Sequence, residues 1–440
     1  MLNSIARRRV LHVVAAQVAA VALAAPGLTA QACPDAVVLT QGLGEPLATV
    51  RYLADDSLEG RLAGSRGERC AGDYIAGRLE ALGLRGAGEA GSYFQDVAVP
   101  VPGGGSANPH AVDQHASVTG RNVIALLEGA DPAVRDEVIV IGAHYDHLGV
   151  GGAGSLAPGE TAVHNGADDN ASGVGALLRV AALLSDGPRP ARSIVFIAFT
   201  GEESGLLGSA QFARSPTVDL ARARAMLNMD MVGRLEDDPL IVYGVGTAAE
   251  WTALVVREAA RAAIDVTLQA DGVGPSDHTS FYMRDIPVLH FFTNTHGDYH
   301  KPSDDWDRVD ADGLERVAQL VAALAREVAA AGTELTLQRG AGQPGRAPAR
   351  GSGAWLGTVP DFSPVERGVL LGGVTAESPG ARAGMRKGDI LIRLGAHEIR
   401  DLQEFTDALA AHEPGDTVAI VVIRDGREVH LEAVLGRRGS

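Results

Sequence analysis

Gly166-Ala-Asp-Asp-Asn-Ala-Ser-Gly173 sets two adjacent carboxylates between a glycine-rich loop at residues 149–159 and a long apolar run. A carboxylate pair at a loop-to-helix junction is a place to hold cations, although alone it suits a turn or a helix N-cap equally well. Its meaning therefore rests on its surroundings.

Four other short stretches supply matching ligand types: His144-Tyr-Asp146 after the apolar run Val138-Ile-Val-Ile141, Glu202-Glu203 after Ile194-Val-Phe-Ile-Ala-Phe-Thr200, Asn228-Met-Asp230, and Tyr299-His300. Two histidines with three or four carboxylates form a borderline donor set suited to zinc. Such a set holds two divalent ions if one carboxylate bridges them. Asp168 is expected to be the bridge, because it lies in the loop between the other ligands, and a two-metal hydrolase is the resulting reading. Each stretch has an ordinary explanation of its own. A histidine after a strand is commonly just a satisfied polar residue, and Glu202-Glu203 suits a solvated helix start. Together they point further, because two of them directly follow β-patterned runs, and open α/β sheets gather ligands at strand carboxyl ends.

The chain has 440 residues, enough for two or three domains, and is 46% hydrophobic with two cysteines, so it is neither disordered nor a disulfide scaffold. A net charge of −17 argues against a nucleic-acid partner. Residues 1–32 read as an export signal: Arg7-Arg-Arg9, an alanine- and valine-rich stretch too short for a membrane span, then Ala30-Gln-Ala32 as a cleavage site. A periplasmic or extracellular location follows, by the general secretory route, with Ala6-Arg-Arg-Arg-Val-Leu11 leaving twin-arginine export as the alternative. In an oxidising compartment Cys33 and Cys70 are expected to pair.

The periodicity alternates regularly from residue 138. It predicts strands at 138–143, 193–200, 225–231, 240–243 and 287–292, with helices at 172–184, 204–213, 247–263 and 310–330. Helical spacing marks residues 46–84, and 93–126 holds shorter strand-like segments. This order predicts an α/β three-layer sandwich, a largely parallel (mixed) central sheet with helices on both faces. The domains read as 1–32 signal, 33–332 catalytic, 333–352 a Gly/Pro/Arg linker, and 353–440 a small β-rich unit.

These residues resemble the cocatalytic dizinc exopeptidases, a family that includes bacterial leucyl aminopeptidases, glutamate carboxypeptidases and, more distantly, glutaminyl cyclases. All five motifs occur in the family's order over residues 45–332. The resemblance implies two zinc ions, with Asp168 bridging, His144 and Asp230 on one ion, and Glu203 and His300 on the other. It implies Glu202 as general base and Asp146 as the carboxylate orienting His144. It also implies that His278, in Ser276-Asp-His278, donates to the developing oxyanion, and that the Asp168–Asp169 peptide is cis. Arg234 reads as a salt-bridge residue rather than an anchor for a substrate carboxylate. The C-terminal unit resembles a bacterial PDZ domain, on Trp355-Leu-Gly357, Gly373-Val-Thr-Ala-Glu-Ser-Pro-Gly380 and Ala383-Gly-Met-Arg-Lys-Gly-Asp-Ile-Leu391. Such domains bind extended C-terminal peptides at a sheet edge. Because every expected ligand precedes residue 333, this unit is expected to be dispensable for hydrolysis.

The implied function is an exported zinc aminopeptidase acting on peptides. The alternatives are a carboxypeptidase or dipeptidase on the same scaffold and, from another class, a catalytically silent fold serving as a PDZ peptide-binding module. Retention of Glu202 beside all five ligands argues against the last. As general base, Glu202 moves a proton and adds little to metal affinity, so Glu202→Gln is expected to keep zinc yet lose about 10²-fold in kcat. Glu203→Gln is expected to lose zinc as well as rate, with partial rescue by excess zinc. Metal content and kcat of the two variants check the assignment, and the opposite pattern reverses the two roles.

Overall fold

The computed structural model describes residues 32–100, 117–339 and 354–437, apart from 153, 158, 236–238, 362–364, 366, 376, 401–403, 406–407 and 410. The expected export segment lies outside the described residues except for Ala32, and the expected linker is described only as far as 339.

Among the described residues, nine strands form one sheet: β1 (Arg85–Gly86), β2 (Phe94–Pro100), β3 (Ser117–Leu127), β4 (Val138–His144), β5 (Ser193–Phe199), β6 (Ala223–Met229), β7 (Leu240–Tyr243), β8 (Val266–Leu268) and β9 (Val288–Phe292). Their order is β1-β3-β5-β4-β6-β9-β7-β8, with β2 also on β3. The centre, β5-β4-β6-β9, is parallel, while β3 and β7 join it antiparallel on either side. The sheet is thus mixed with a parallel centre, as the alternation predicts. Every residue of β4, β5 and β9 is buried, the consequence of helices on both faces.

Strand side chains alternate between two cores. Ile139, Ile141, Ile194 and Phe196 pack in the larger one with helices α2 (Leu47–Leu53), α3 (Arg66–Ala81), α4 (Gly173–Ser185), α6 (Trp251–Arg261) and α8 (Ala311–Ala329). Val138, Val140, Val195 and Ile197 face the other, against α5 (Leu207–Arg214) and the short α7 (His278–Tyr282). A four-residue helix α1 (Ala36–Leu39) precedes these elements. The Asp310 carboxylate caps α8, accepting from the Gly313 N–H at 2.9 Å. Neither β8 nor α7 stands out in the sequence, since three or five residues are too few for a period to show. Helix α5 starts later than predicted because Gly205 and Leu206 both take positive φ.

The C-terminal domain has its own core around Leu356, Leu371, Leu391, Phe405, Ile420 and Val422. Among the described residues its strands are β10 (Ala354–Trp355), β11 (Thr358–Asp361), β12 (Val369–Val374), β13 (Ile390–Leu394), β14 (His397–Glu398), β15 (Thr417–Arg424), β16 (Arg427–Val434) and β17 (Gly436–Arg437), and the short helix α9 spans Pro379–Ala383. The sheet runs β11-β12-β13-β15-β16, entirely antiparallel, with β14 on β13 and β10 paired separately to β17. Residues 333–339, expected to belong to the linker, instead run along the N-terminal domain. The Ala249 N–H donates to the Thr336 carbonyl at 3.1 Å and the Gln338 N–H to the Thr247 carbonyl at 2.8 Å. Both cysteines are disulfide-bonded, as expected. No helix among the described residues is long and apolar enough to cross a membrane.

A fully buried Arg61 ties the entry segment to the loops above the sheet. Its guanidinium donates to the carbonyls of Leu53, Tyr145, Asn165 and Gly166 at 2.6–3.0 Å. Burial lowers its pKa to about 10, still charged at neutral pH, with Asp146, Asp169, Asp304 and Glu203 opposing the shift. A lysine ammonium cannot reproduce this planar fork. Arg61→Lys is expected to lower the unfolding free energy by about 2–4 kcal/mol, checked by urea denaturation of the folded variant.

Candidate metal centre

The expected ligands converge at the carboxyl ends of the central parallel strands. His144 ends β4, Glu202 and Glu203 follow β5, Asp230 follows β6, and His300 lies in the loop after β9. The carboxylate pair enters from the turn Ala167–Ser172, which leads directly into α4.

Of the pair, Asp169 and not Asp168 stands at the centre. One Asp169 oxygen lies 3.3 Å from His144 Nε2 and the other 3.0 Å from His300 Nε2. His144 Nε2 is also 3.2 Å from Asp230 Oδ1, and His300 Nε2 is 3.3 Å from Glu203 Oε2. Asp168 is occupied elsewhere: its Oδ1 accepts from the Gly233 N–H at 2.7 Å, and its Oδ2 lies 3.1 Å from His296 Nε2. The expectation for Asp168 is corrected accordingly. Neighbouring side chains on a turn point in different directions, and the Gly233 N–H with His296 holds Asp168 on the far side. The cis peptide likewise lies one residue later than expected, at Asp169–Asn170. Asp304 fixes the turn, accepting from the N–H groups of Asp168 and Asp169 at 2.9 and 3.1 Å.

The tautomers suit metal binding. His300 Nδ1 is 2.8 Å from the Gly154 carbonyl and His144 Nδ1 is 3.3 Å from the Asp146 carbonyl, so each donates there, and Nε2 is left to face the carboxylates, donating to them while protonated and offering a lone pair to a metal once that proton is lost. Among the described residues, donor atoms of His144, Asp169 and Asp230, and of His147, Asp169 and Glu203, lie within 4.8 Å of one another. Sequence reasoning passed over His147, although it is the next residue after Asp146. Its Nδ1 is bonded to Glu203 at 2.8 Å, while His300 faces both Asp169 and Glu203 through Nε2. We therefore read His300 as the second histidine donor and His147 as the group that holds Glu203.

The electrostatics are those of a crowded anionic cavity. Burial opposes charge on His144, yet Asp230 and Glu202 outweigh it and hold its pKa well above the ordinary histidine range. His300 behaves likewise, with Glu203 and Asp169 overcoming burial. Burial would raise Glu203, but His300 pulls it down to about 2. Glu202 moves the opposite way, driven well up by burial and by Asp230 and Glu203 despite His144. The two neighbouring glutamates are thus shifted in opposite directions. The Glu202 N–H donates to Asp146 Oδ1 at 3.1 Å, so Asp146 also positions the Glu202 backbone.

His278 lines the same cavity, stacked on His290 with ring centroids 4.4 Å apart. Burial lowers both, His278 strongly and His290 to about 4, which keeps them neutral. Ser276, the first residue of that motif, donates to Asp230 Oδ2 at 2.7 Å and steadies a ligand carboxylate. Arg234 lies near Asp298 and Asp304, at 3.5 and 3.3 Å, consistent with its expected salt-bridge role.

The cavity holds about 210 Å³ and continues from the donor groups past Met231, Tyr243, Phe292 and Tyr299. Among the described residues its lining contains no arginine or lysine. One lining residue, Pro360, comes from the C-terminal domain.

Residues 122–325 match peptidase family M28, and residues 360–435 match the PDZ domain. Leupeptin-inactivating enzyme 1 of Streptomyces exfoliatus is 27% identical over 282 residues, covering 64% of this chain and 55% of that protein. Aminopeptidase YwaD of Bacillus subtilis (strain 168) is 28% identical over 222 residues, covering 48% and 45%. The chain thus spans about half the length of these curated relatives. The solved aminopeptidase from Aneurinibacillus sp. strain AM-1 shares the fold, with a TM-score of 0.51 at 20% identity over 69% of this chain and 98% of that one. The peptidase family M28 match falls on the domain that carries the donor set, and the PDZ match falls on the β-rich domain that follows it.

Proposed function

We propose that the protein is an exported aminopeptidase that removes N-terminal residues from peptides using two zinc ions and Glu202 as general base. The observation that carries this reading is the two-sided exposure of Asp169, whose oxygens each face a different histidine paired with its own carboxylate. The set His144, Asp169, Asp230, Glu203 and His300 offers nitrogen and oxygen donors of the hardness zinc accepts. Bound there, zinc would supply Lewis acidity to polarise the scissile carbonyl and to acidify water.

The residues of the chain do the remainder. Glu202 lies in the cavity with a carboxyl whose raised pKa suits accepting a proton from the attacking water and returning it to the leaving amine. The neutral His278 ring is placed to donate to negative charge developing on the carbonyl oxygen. Direction follows from charge: a substrate's α-ammonium meets carboxylates in this cavity, whereas an α-carboxylate finds no arginine or lysine among the described lining residues. The curated relative named as an aminopeptidase supports the same direction. Export is supported by the N-terminal sequence and by the disulfide-bonded cysteines.

Free and N-acetylated forms of one peptide panel, assayed with metal-stripped and zinc-restored protein, test direction and metal dependence together. Release of the first residue from free peptides only, and only with zinc, is the expected result. Hydrolysis of the acetylated panel at equal rate would favour the carboxypeptidase alternative. Elemental analysis is expected to find about two zinc ions per chain. Asp169→Asn is expected to lose zinc, whereas Asp168→Asn, which alters a carboxylate bonded to Gly233 and His296, is expected to retain more of it. Equal zinc loss in the two variants would return the bridging role to doubt.

A further inference from the structure

Strand β11 of the C-terminal domain reaches the cleft. The Thr295 hydroxyl, in the loop between β9 and His300, donates to the Pro360 carbonyl at 2.9 Å. Pro360 lines the same cavity as His144, Asp169, Glu202, Glu203, Asp230 and His300.

The orientation of this carbonyl follows from the strand register. Pro360 pairs with Leu371 of β12. Both main-chain groups of Leu371 turn away from β11: its N–H donates to the Asp389 carbonyl and its carbonyl accepts from the Gly388 N–H, each at 2.8 Å. Pro360 and Leu371 are therefore a non-hydrogen-bonded pair, and the Pro360 carbonyl points outward from the sheet edge. A proline is tolerated at such a position because the outward edge needs no N–H. The edge that this strand would offer to an added peptide is, at residue 360, turned to the catalytic domain and engaged by Thr295.

Beyond the donor groups the cavity is walled by Met231, Tyr243, Phe292 and Tyr299 of the catalytic domain, with Met231 and Phe292 in one apolar cluster. Pro360 joins that lining, on a strand held by the Thr295 bond. We propose that the PDZ domain completes the substrate pocket, and that Pro360 is a specificity-determining residue limiting the size of the apolar N-terminal side chain the enzyme accepts. This rests on the aminopeptidase reading. It also departs from the expectation that residues beyond 353 are dispensable, because the selectivity of the full chain would depend on them.

The test uses the full-length, zinc-loaded protein with alanyl, leucyl and phenylalanyl chromogenic amides, comparing wild type with Pro360→Trp and Pro360→Ala. A side-chain pocket discriminates about 10- to 200-fold per methylene-scale change in fit. Pro360→Trp is therefore expected to lower the ratio of kcat/KM for phenylalanyl over alanyl substrate by about 10-fold or more, and Pro360→Ala to raise it. Ratios within twofold of wild type in both folded variants would overturn the proposal. Hydrogen–deuterium exchange supplies a readout independent of turnover and of how well the Pro360 variants fold. Thr295→Val is expected to speed exchange across residues 354–361 relative to wild type, and unchanged exchange there would also overturn the proposal. A wild-type protein inactive on all three amides would instead overturn the aminopeptidase reading, with the exchange result still judging the contact.

Discussion

Carboxylates gathered at the ends of parallel strands are the constraint to which the rest of the catalytic domain answers. Asp169, Glu202, Glu203 and Asp230 border one cavity with His144 and His300, and an arrangement so rich in anions is stable only with positive charge nearby. Protons on the histidines provide some of it, which is why both are held well above their usual range despite burial. Two divalent ions would provide it more completely. The buried Arg61 adds a fixed charge behind the loops, where it binds four carbonyls and no carboxylate.

Around this centre, outer residues decide which groups point inward. The Gly233 N–H and His296 draw Asp168 out of the centre, Asp304 holds the turn through two N–H groups, Ser276 steadies Asp230, and His147 holds Glu203. These partners lie up to 136 residues apart in sequence, so they bond only because the strand ends bring their loops together. Orientation fixed in this way spares a reacting group the cost of ordering itself.

The C-terminal domain belongs to the same logic through one contact. An antiparallel sheet leaves the groups of its edge strand unpaired, and here one of them finds a partner in the loop that carries His300. The domain's edge thus lies at the cleft, although none of its described residues is among the grouped donors.

The sequence by itself determined the architecture and the inventory of the site. Unbroken apolar runs such as Val138-Ile-Val-Ile141 can be buried only between two helical layers, and acidic and histidine residues just beyond them fall at strand ends for the same reason. The residue types therefore pointed to zinc before any geometry was known. Three matters were decided only by the tertiary structure. Asp168 and Asp169 are chemically identical neighbours, and the choice between them is made by the Gly233 N–H and His296, far away along the chain. Arg61 and His147 carry no periodic signal, because their roles lie in bonds to Tyr145, Gly166 and Glu203 that exist only once the loops meet. Pro360, beyond a stretch that reads as a linker, reaches the cleft through a main-chain carbonyl. A carbonyl is common to every residue, so no side-chain pattern in the sequence could have marked it.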